Sequence, residues 1–270
     1  MPRVTIDVMP PYLDDLELAG RLADAADDIT STRFRARDLT VSSKPDRTPV
    51  TDADTAVEDT VREIIGSARL TDGVAGEERG GSATAGGRNW VLDPIDGTKN
   101  FLRGLPVWAT LIALVIDGTP VLGMISAPLL GRRWWASSGG GAWLRDSAGE
   151  HRLAVSGVSE LADAYLSTTE LGTWAEQHDR EAYLALTDTC WETRAFGDFW
   201  QHCLVAEGAI DIAAEPIVNA WDVAAAQVLV TEAGGRFTDL AGTPRFDTGS
   251  ALSTNGHLHD PTLEVLKRRA

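Results

Sequence analysis

The sequence contains few cysteines and no long apolar run. Only two cysteines, Cys190 and Cys203, occur in 270 residues, and they lack the C-x-x-C spacing of a redox or zinc site. No apolar run approaches the roughly 18 residues that a membrane helix needs, and the first residues contain no apolar stretch of signal-peptide length. We therefore expect a cytoplasmic protein that keeps its thiols reduced and does not contact a membrane.

Positive charge is also scarce. There are 24 Lys and Arg residues against 40 Asp and Glu residues, and the net charge is −16. Such a surface repels the phosphate backbone of a nucleic acid, so we exclude a nucleic-acid partner. A small phosphate ester would be repelled as well, unless a bound metal ion supplies positive charge.

Several catalytic motifs are missing. The chain has no G-x-S-x-G turn and no Cys/His pair, so nothing indicates a covalent serine or cysteine nucleophile. The glycine triplet that begins at Gly139 is not part of a nucleotide-binding loop. The five histidines, including His202 and the pair His257 and His259, do not have zinc-ligand spacing, and we assign them no catalytic role.

The pattern of apolar residues predicts a protein in two halves. Residues 12–34 and 51–65 have helical periodicity, and Thr51 with Asp54 is typical of a capping box. An antiparallel meander should follow, with a hairpin at Asp117-Gly118, and its strands are expected at 88–95, 107–116, 120–127, 132–137 and 141–145. From residue 151 strands and helices alternate, which favours a second α/β half. Its strands are expected at 164–168, 192–196, 210–213 and 236–238. Its helices are expected at 177–189, 198–208 and 221–234. We place the boundary between residues 1–150 and 151–270.

The segment WVLDPIDGTKNF, residues 90–101, contains two carboxylates, Asp93 and Asp96, at the end of a predicted strand. Gly97 allows backbone to approach a ligand closely, and the amides near Thr98 offer an anion site. A strand followed by an acidic turn would explain the two acids alone, but the complete D-P-I-D-G-T string is more specific. It indicates a site for a divalent metal and a phosphate.

Two further acidic motifs support this interpretation. Glu77 lies in the sequence GEE, and Asp222 lies in WDVAA before an apolar helix. Mg²⁺ is usually held by a few carboxylates together with substrate phosphate. A solvated turn and a helix cap would account for each motif singly, but capping does not readily account for all three in this order.

In their order along the chain, GEE, DPIDGT and WDVAA resemble the inositol monophosphatase family of Mg²⁺-dependent, lithium-sensitive phosphatases. The similarity extends from about Asp14 to the C-terminus. It implies an α+β fold in a layered α-β-α-β-α sandwich and a homodimer. It also implies two or three Mg²⁺ ions in each active site.

The resemblance assigns a role to each matching residue. Glu77, Asp93, the Ile95 carbonyl, Asp96 and Asp222 would ligate metal. Asp52 is expected near Thr98, either to orient a metal-bound water or to hold a third ion, so we count Glu77, Thr98 and Asp52 as catalytic candidates. Substrate contacts are expected from a larger set, which comprises Asp96, Gly97, Thr98, Lys99, Arg194, Glu215 and Asp222.

Several alternatives remain open at this point. Within the family, the segments KPDRTPVTDAD, PVWATLIAL and RRWWA are most similar to phosphatases that act on histidinol phosphate. Inositol monophosphate, fructose 1,6-bisphosphate and phosphoadenosine phosphate are the other substrate candidates. A haloacid-dehalogenase-type phosphatase with an aspartyl phosphate is less compatible, because its motif is D-x-D-G-T, and in a regular strand the pleat would turn Asp96 to the face opposite Asp93. A noncatalytic metal or sugar-phosphate binding protein is the alternative of another class.

Overall fold

The computed structural model describes residues 12–44 and 48–267, so Pro45, Asp46 and Arg47 of the KPDRTP segment lie outside the described residues. The helices in the described part are α1 Leu13–Arg33, α2 Asp52–Ala68, α3 Thr98–Arg103, α4 Leu171–Gln177, α5 Arg180–Thr189, α6 Asp198–Ala206, α7 Ala220–Glu232 and α8 His259–Lys267. The first strands are β1 Val41–Ser43, β2 Pro49–Thr51, β3 Gly73–Gly76, β4 Arg88–Asp96, β5 Ala109–Ile116, β6 Thr119–Ala127, β7 Arg132–Ser137, β8 Gly141–Asp146 and β9 Gly149–Arg152. The later strands are β10 Tyr165–Ser167, β11 Glu192–Arg194, β12 Ile212–Glu215, β13 Arg236–Thr238 and β14 Ala251–Thr254.

Two large sheets are stacked between three layers of helices. The first sheet has the strand order β3-β4-β5-β6-β7-β8-β9, and the second has the order β11-β10-β12-β14-β13. Apolar residues of α1 and α2 pack on one face of the first sheet, while α6 and α7 fill the space between the two sheets. The outer face of the second sheet is covered by α4, α5 and α8. The predicted α-β-α-β-α sandwich is confirmed.

The first half closely follows the sequence pattern. Strands β4 to β9 form an antiparallel meander, and Asp117 and Gly118 both have positive φ in the hairpin between β5 and β6. Thr51 caps α2 with the predicted capping box to Asp54. Strands β1, β2, β3 and β9 were not predicted. Of these, β3 pairs in parallel with β4 and so places the GEE motif beside the DPID motif.

The second half differs from a simple alternation of strands and helices. Strand β10 pairs in parallel with β11 and with β12, but β14 is inserted between β12 and β13 and is antiparallel to both. The helix predicted at 177–189 is wrong at its start. Asp179 accepts hydrogen bonds from the amides of Glu181 and Ala182, and this cap separates α5 from the preceding α4.

No helix in the described ranges combines the length and the apolarity that crossing a bilayer requires. Residues 151–267 contribute directly to the core of the first sheet, because α7 packs against strands β5 and β6.

His259, at the start of α8, is completely buried. Its Nε2 and Nδ1 atoms lie 2.9 and 3.0 Å from the hydroxyls of Thr238 and Thr254. Burial, reinforced by the charge of Arg236, lowers the pKa of His259 from 6.5 to about 4. The folded protein therefore keeps this imidazole neutral at pH values where the unfolded chain takes up a proton.

Replacing His259 by Gln should make stability less dependent on pH. Between pH 6.5 and about 4, wild type loses stability as the pH falls, because only the unfolded state protonates His259. The variant is less stable at pH 7, since it loses hydrogen bonds, but the difference between the two proteins should narrow on acidification. Urea unfolding at several pH values measures this difference, and a constant gap from pH 7 to 4 would contradict a neutral buried imidazole.

Candidate metal and phosphate site

A β-bulge brings the two aspartates of the DPID motif to one side of the sheet. Asp93 is paired with Leu111 and Asp96 with Ala109, so the three-residue step in β4 is matched by only two residues in β5. The extra residue breaks the pleat. The pleat of a regular strand would separate Asp93 from Asp96, but β4 is not regular here, and both aspartates line the same cleft.

Asp222 completes the cluster from the first turn of α7. Ligand oxygens of Asp93, Asp96 and Asp222 all lie within 4.8 Å of one another. Asp222 also belongs to a capping box, because its Oδ2 accepts a 2.7 Å hydrogen bond from the amide of Asn219. Capping and metal binding are thus compatible roles for this residue, not alternatives.

This cluster concentrates negative charge, and among the described residues no positive side chain offsets the charges of its three acids. Burial, followed by the charges of Glu77 and Asp96, raises the pKa of Asp93 well above its ordinary range. Burial and the charge of Asp198 do the same to the pKa of Asp96. Burial raises the pKa of Asp222 to about 7. Such a group of carboxylates is electrostatically unfavourable unless protons or a cation neutralise it.

Glu77 lies in the turn that follows β3, at the wall of the same cleft. Its carboxylate pairs with the Lys44 ammonium at 2.6 Å. The turn is held by Glu58, a fully buried residue of α2 that accepts hydrogen bonds from the amides of Glu78 and Arg79 at 2.7 and 3.0 Å. Sequence analysis did not identify Glu58, since a single acid in an amphipathic helix carries no distinctive signal.

Thr98 and Ile95 meet at the start of α3. The Thr98 hydroxyl donates a 2.9 Å hydrogen bond to the Ile95 carbonyl oxygen and lies 3.5 Å from Asp54 Oδ1. Asp54 is buried, and burial raises its pKa to about 6. The carboxylate beside Thr98 is therefore that of Asp54.

The prediction that Asp52 lies beside Thr98 is wrong in placement. Asp52 begins α2 on the opposite side of the turn, where its Oδ2 pairs with Arg33 at 2.7 Å and its side chain is 39% exposed. Asp52 and Asp54 are two positions apart in the first turn of a helix, so their side chains point in different directions. The sequence T-D-A-D does not reveal which of them faces the site.

The cleft has a volume of about 720 Å³. Next to the carboxylate cluster it is lined by Gly97, Lys99 and Asn100. Gly97 has a φ of 83°, a conformation that favours glycine, and a Cβ there would lie 3.1 Å from the Val107 carbonyl oxygen. Lys99 is exposed and is the only Lys or Arg among the cleft residues in the described ranges.

The far end of the cleft is formed by β12 and the start of α6 and holds two more acids, Glu215 and Asp198. The Asp198 carboxylate extends back to the Gly97 turn, since a Cβ on Gly97 would lie 3.4 Å from its Oδ2. Glu215 is buried at the end of β12, as expected for a substrate contact. Asp198, which was not predicted, begins α6 with a φ of 45°, and burial together with the charge of Glu215 raises its pKa to about 6. The segment RAFGDF contained one signal that could have identified Asp198: it is an acid that directly follows a glycine, at the junction between a predicted strand and a predicted helix.

Arg194 lies outside the cleft. Its guanidinium pairs with Glu192 at 2.5 Å and donates to the Thr193 carbonyl oxygen at 2.9 Å, and its side chain is 56% exposed. In this placement Arg194 does not contact a ligand in the cleft, so the structure does not support the predicted substrate contact. The same segment contributes Phe196 and Asp198 to the cleft instead.

The donor set fits a hard divalent cation. The converging atoms are carboxylate oxygens, with the Ile95 carbonyl close by and no sulfur or imidazole ligand in the cluster. Oxygen-only sites with incomplete protein coordination are typical of ions that also bind substrate oxygens. The raised pKa values of the cluster show that a cation would relieve the repulsion.

Comparisons with known proteins place the chain in a family. The model of the inositol monophosphatase family matches residues 14–268, and the chain belongs to that family. A histidinol-phosphatase of Mycobacterium tuberculosis is 58% identical over 94% of this chain and 97% of its own length. One from Streptomyces coelicolor is 53% identical over 97% of this chain and 100% of its own. A solved inositol monophosphatase from Zymomonas mobilis superposes with a TM-score of 0.83 at 34% identity, covering 96% of this chain and 99% of that one.

Exchanging Asp54 and Asp52 separately for Asn tests the corrected placement. Asp54→Asn should reduce kcat about 100-fold or more, because it removes the charge next to Thr98. Asp52→Asn should leave kcat within about threefold, since an exposed ion pair contributes little. Kinetics with a phosphomonoester and added Mg²⁺ measure both variants, and equal losses would show that the two aspartates do not differ in role.

Proposed function

We propose that this chain is a Mg²⁺-dependent phosphomonoesterase that hydrolyses L-histidinol phosphate to L-histidinol and phosphate. The observation that carries the proposal is the convergence of Asp93, Asp96 and Asp222 beside the Gly97 turn, in a cleft of small-molecule size. The relatives named histidinol-phosphatase match over nearly the whole chain, which supports this choice of substrate.

Glu77, Asp93, the Ile95 carbonyl, Asp96 and Asp222 would hold two or three Mg²⁺ ions. Bound Mg²⁺ supplies the positive charge that stabilises a phosphoryl group and its leaving oxygen. The protein's part is to hold these oxygens in place. The Asp93 side chain accepts a hydrogen bond from the Ile95 amide, and that of Asp96 accepts one from the Phe199 amide at the start of α6.

Thr98 and Asp54 are proposed to orient the attacking water. The Thr98 oxygen accepts a hydrogen bond from the water, and Asp54 Oδ1 receives the proton that Thr98 passes on. Glu77, which also lines the cleft, is the second candidate for this base. Neither route phosphorylates a side chain, because the water attacks phosphorus directly.

Asp96, Gly97, Thr98 and Lys99 line the part of the cleft where the phosphate is proposed to bind. The backbone at Gly97 leaves room for phosphate oxygens, and the Lys99 ammonium offers a positive charge nearby.

The leaving alcohol is proposed to bind at the far end, near Glu215 and Asp198. Histidinol carries an ammonium group. Two carboxylates in a cleft whose described lining contains a single Lys favour a cationic ligand over an uncharged polyol. Phe196 provides an apolar wall against which an imidazole ring can pack.

We also propose that the enzyme acts in the cytoplasm and that residues 1–150 and 151–270 form two halves of the site. Under this division β4 and α3 supply the metal ligands and phosphate contacts of the first half. The second half contributes Asp222 and the far end of the cleft.

A substrate panel tests the proposed reaction. We expect kcat/KM for L-histidinol phosphate to exceed that for inositol 1-phosphate, fructose 1,6-bisphosphate and phosphoadenosine phosphate by at least about tenfold, the effect of one charge-assisted contact. Phosphate release should need Mg²⁺ and stop with EDTA. Equal or faster turnover of inositol 1-phosphate would refute the substrate, whereas release that persists in EDTA would refute the metal dependence.

The proposed homodimer has a candidate interface at the edge of the second sheet. Trp191, 69% exposed beside edge strand β11, begins a series of ring contacts through Tyr165 and Phe196 to Trp200. An exposed aromatic edge strand is a typical pairing surface.

Light scattering should give twice the chain mass of 28.9 kDa for wild type. Trp191→Asp should shift the protein towards the monomer, because it places a charge in the centre of the apolar surface. A Leu70→Asp variant, which alters an even more exposed apolar residue elsewhere, is the control. A monomeric wild type would exclude the dimer.

A further inference from the structure

Thr169 connects the two carboxylates at the far end of the cleft. Thr169 lies shortly after the end of β10. Its hydroxyl donates a hydrogen bond to Glu215 Oε1 and accepts a 3.0 Å hydrogen bond from the Asp198 amide. Gln201 Nε2 also reaches the Thr169 oxygen at 3.1 Å and donates to the same oxygen of Glu215. One hydroxyl thus joins a strand end, the start of α6 and the acid on β12.

These contacts use only one of the two oxygens of Glu215. Oε1 is occupied by Thr169 and Gln201, while Oε2 lies 3.8 Å from Nε2 of His202. His202 is 1% exposed, its ring is fixed by a 2.8 Å contact between Nδ1 and Ser253, and within the described residues its Nε2 has no hydrogen-bond partner. His202 also lines the cleft. Its unpartnered Nε2 therefore lies beside the free Oε2 of Glu215.

An unpartnered buried nitrogen next to a half-occupied carboxylate indicates a site arranged for a ligand. A cationic amine can bind Oε2 of Glu215 and the Asp198 carboxylate only if both acids are held at the correct spacing. Asp198 has positive φ and Asn100 contacts its Oδ2 at 3.2 Å, but its amide is secured by Thr169 alone in the described part of the chain.

We propose that Thr169 is a positioning residue that sets the specificity of the enzyme for phosphate esters of amino alcohols. It holds Glu215 and Asp198 so that both carboxylates face the ammonium group of the substrate, with Gln201 as a second support. This inference rests on the proposed function, because it assigns the far end of the cleft to the amine of the leaving alcohol.

Removing the Thr169 hydroxyl should weaken binding of the substrate's ammonium group and leave the rate of phosphate-ester hydrolysis unchanged. In Thr169→Val, the Asp198 amide and Glu215 Oε1 each lose a partner, and Glu215 becomes free to turn towards His202. Thr169 itself contacts neither the metal cluster nor the Gly97 turn through any hydrogen bond of the described residues. Binding of an ester without an amine should therefore be unchanged.

The experiment compares two substrates in four proteins. L-histidinol phosphate and a simple alkyl phosphate without an amino group are assayed with wild type, Thr169→Val, Thr169→Ser and Thr168→Val under the same Mg²⁺. Thr168 is the matched control, because this neighbouring hydroxyl accepts from Trp174 Nε1 in the core at 2.9 Å and does not contact either acid. A thermal shift with histidinol alone measures amine binding without turnover.

We expect Thr169→Val to raise KM for histidinol phosphate at least about tenfold, with kcat changed less than about threefold and both constants for the alkyl phosphate retained. Thr169→Ser should keep the KM of wild type, because it retains the hydroxyl. Histidinol should raise the melting temperature of every protein except Thr169→Val. Thr168→Val should lower the melting temperature yet keep the substrate preference of wild type.

Three results would overturn the inference, and they are distinguishable. If wild type prefers histidinol phosphate but Thr169→Val keeps the same preference and the same histidinol shift, the proposed function stands and the role of Thr169 fails. If wild type shows no preference for the ester that carries an amine, the proposed substrate fails and the inference fails with it. Equal losses in Thr169→Val and Thr168→Val would assign Thr169 a purely structural role.

Discussion

The arrangement of this protein depends on repulsion among carboxylates buried at the end of β4. Burial is the main cause that raises the pKa values of the two β4 aspartates. The charge of Glu77 further raises the pKa of Asp93, that of Asp198 further raises the pKa of Asp96, and Asp222 contributes to both. Burying such a group costs stability unless it is neutralised. The surrounding fold must therefore hold acids together that would otherwise separate, and the supports are drawn from every neighbouring layer.

Most of these supports are ordinary elements of secondary structure. Asp222 completes the capping box of α7, Asp54 completes that of α2, and the start of α6 supplies the amide that binds Asp96. Each acid is anchored through one oxygen or one helix end, so that its remaining lone pairs stay available. Capping thus contributes to stability and also orients the site.

Periodicity predicts the helices and the meander of the first half, because it depends on neighbouring residues. The layered fold and the identity of the acid cluster follow from the resemblance of the motifs to a phosphatase family. The sequence does not predict how the pleat is interrupted between Asp93 and Asp96, since a bulge depends on the pairing partner in β5. It cannot separate Asp52 from Asp54 either, because the choice depends on the rotation of α2 relative to Thr98. Short strands such as β14 are likewise defined by their partners and not by their own pattern.

Helix α6 links the chemistry that the family shares to the part of the cleft that we assign to specificity. The Phe199 amide binds Asp96 in the metal cluster, and two residues later Gln201 binds Glu215 at the far end. A change that shifts α6 to suit a new leaving alcohol would therefore also displace Asp96. Thr169 lies on a different element and binds Glu215 directly. Its contacts with α6 are made to the Asp198 amide and the Gln201 side chain, and not to the Phe199 amide that binds Asp96. A side chain in that position can alter the preference for the alcohol while the metal cluster stays intact, which is the separation that a family with one reaction and many substrates requires.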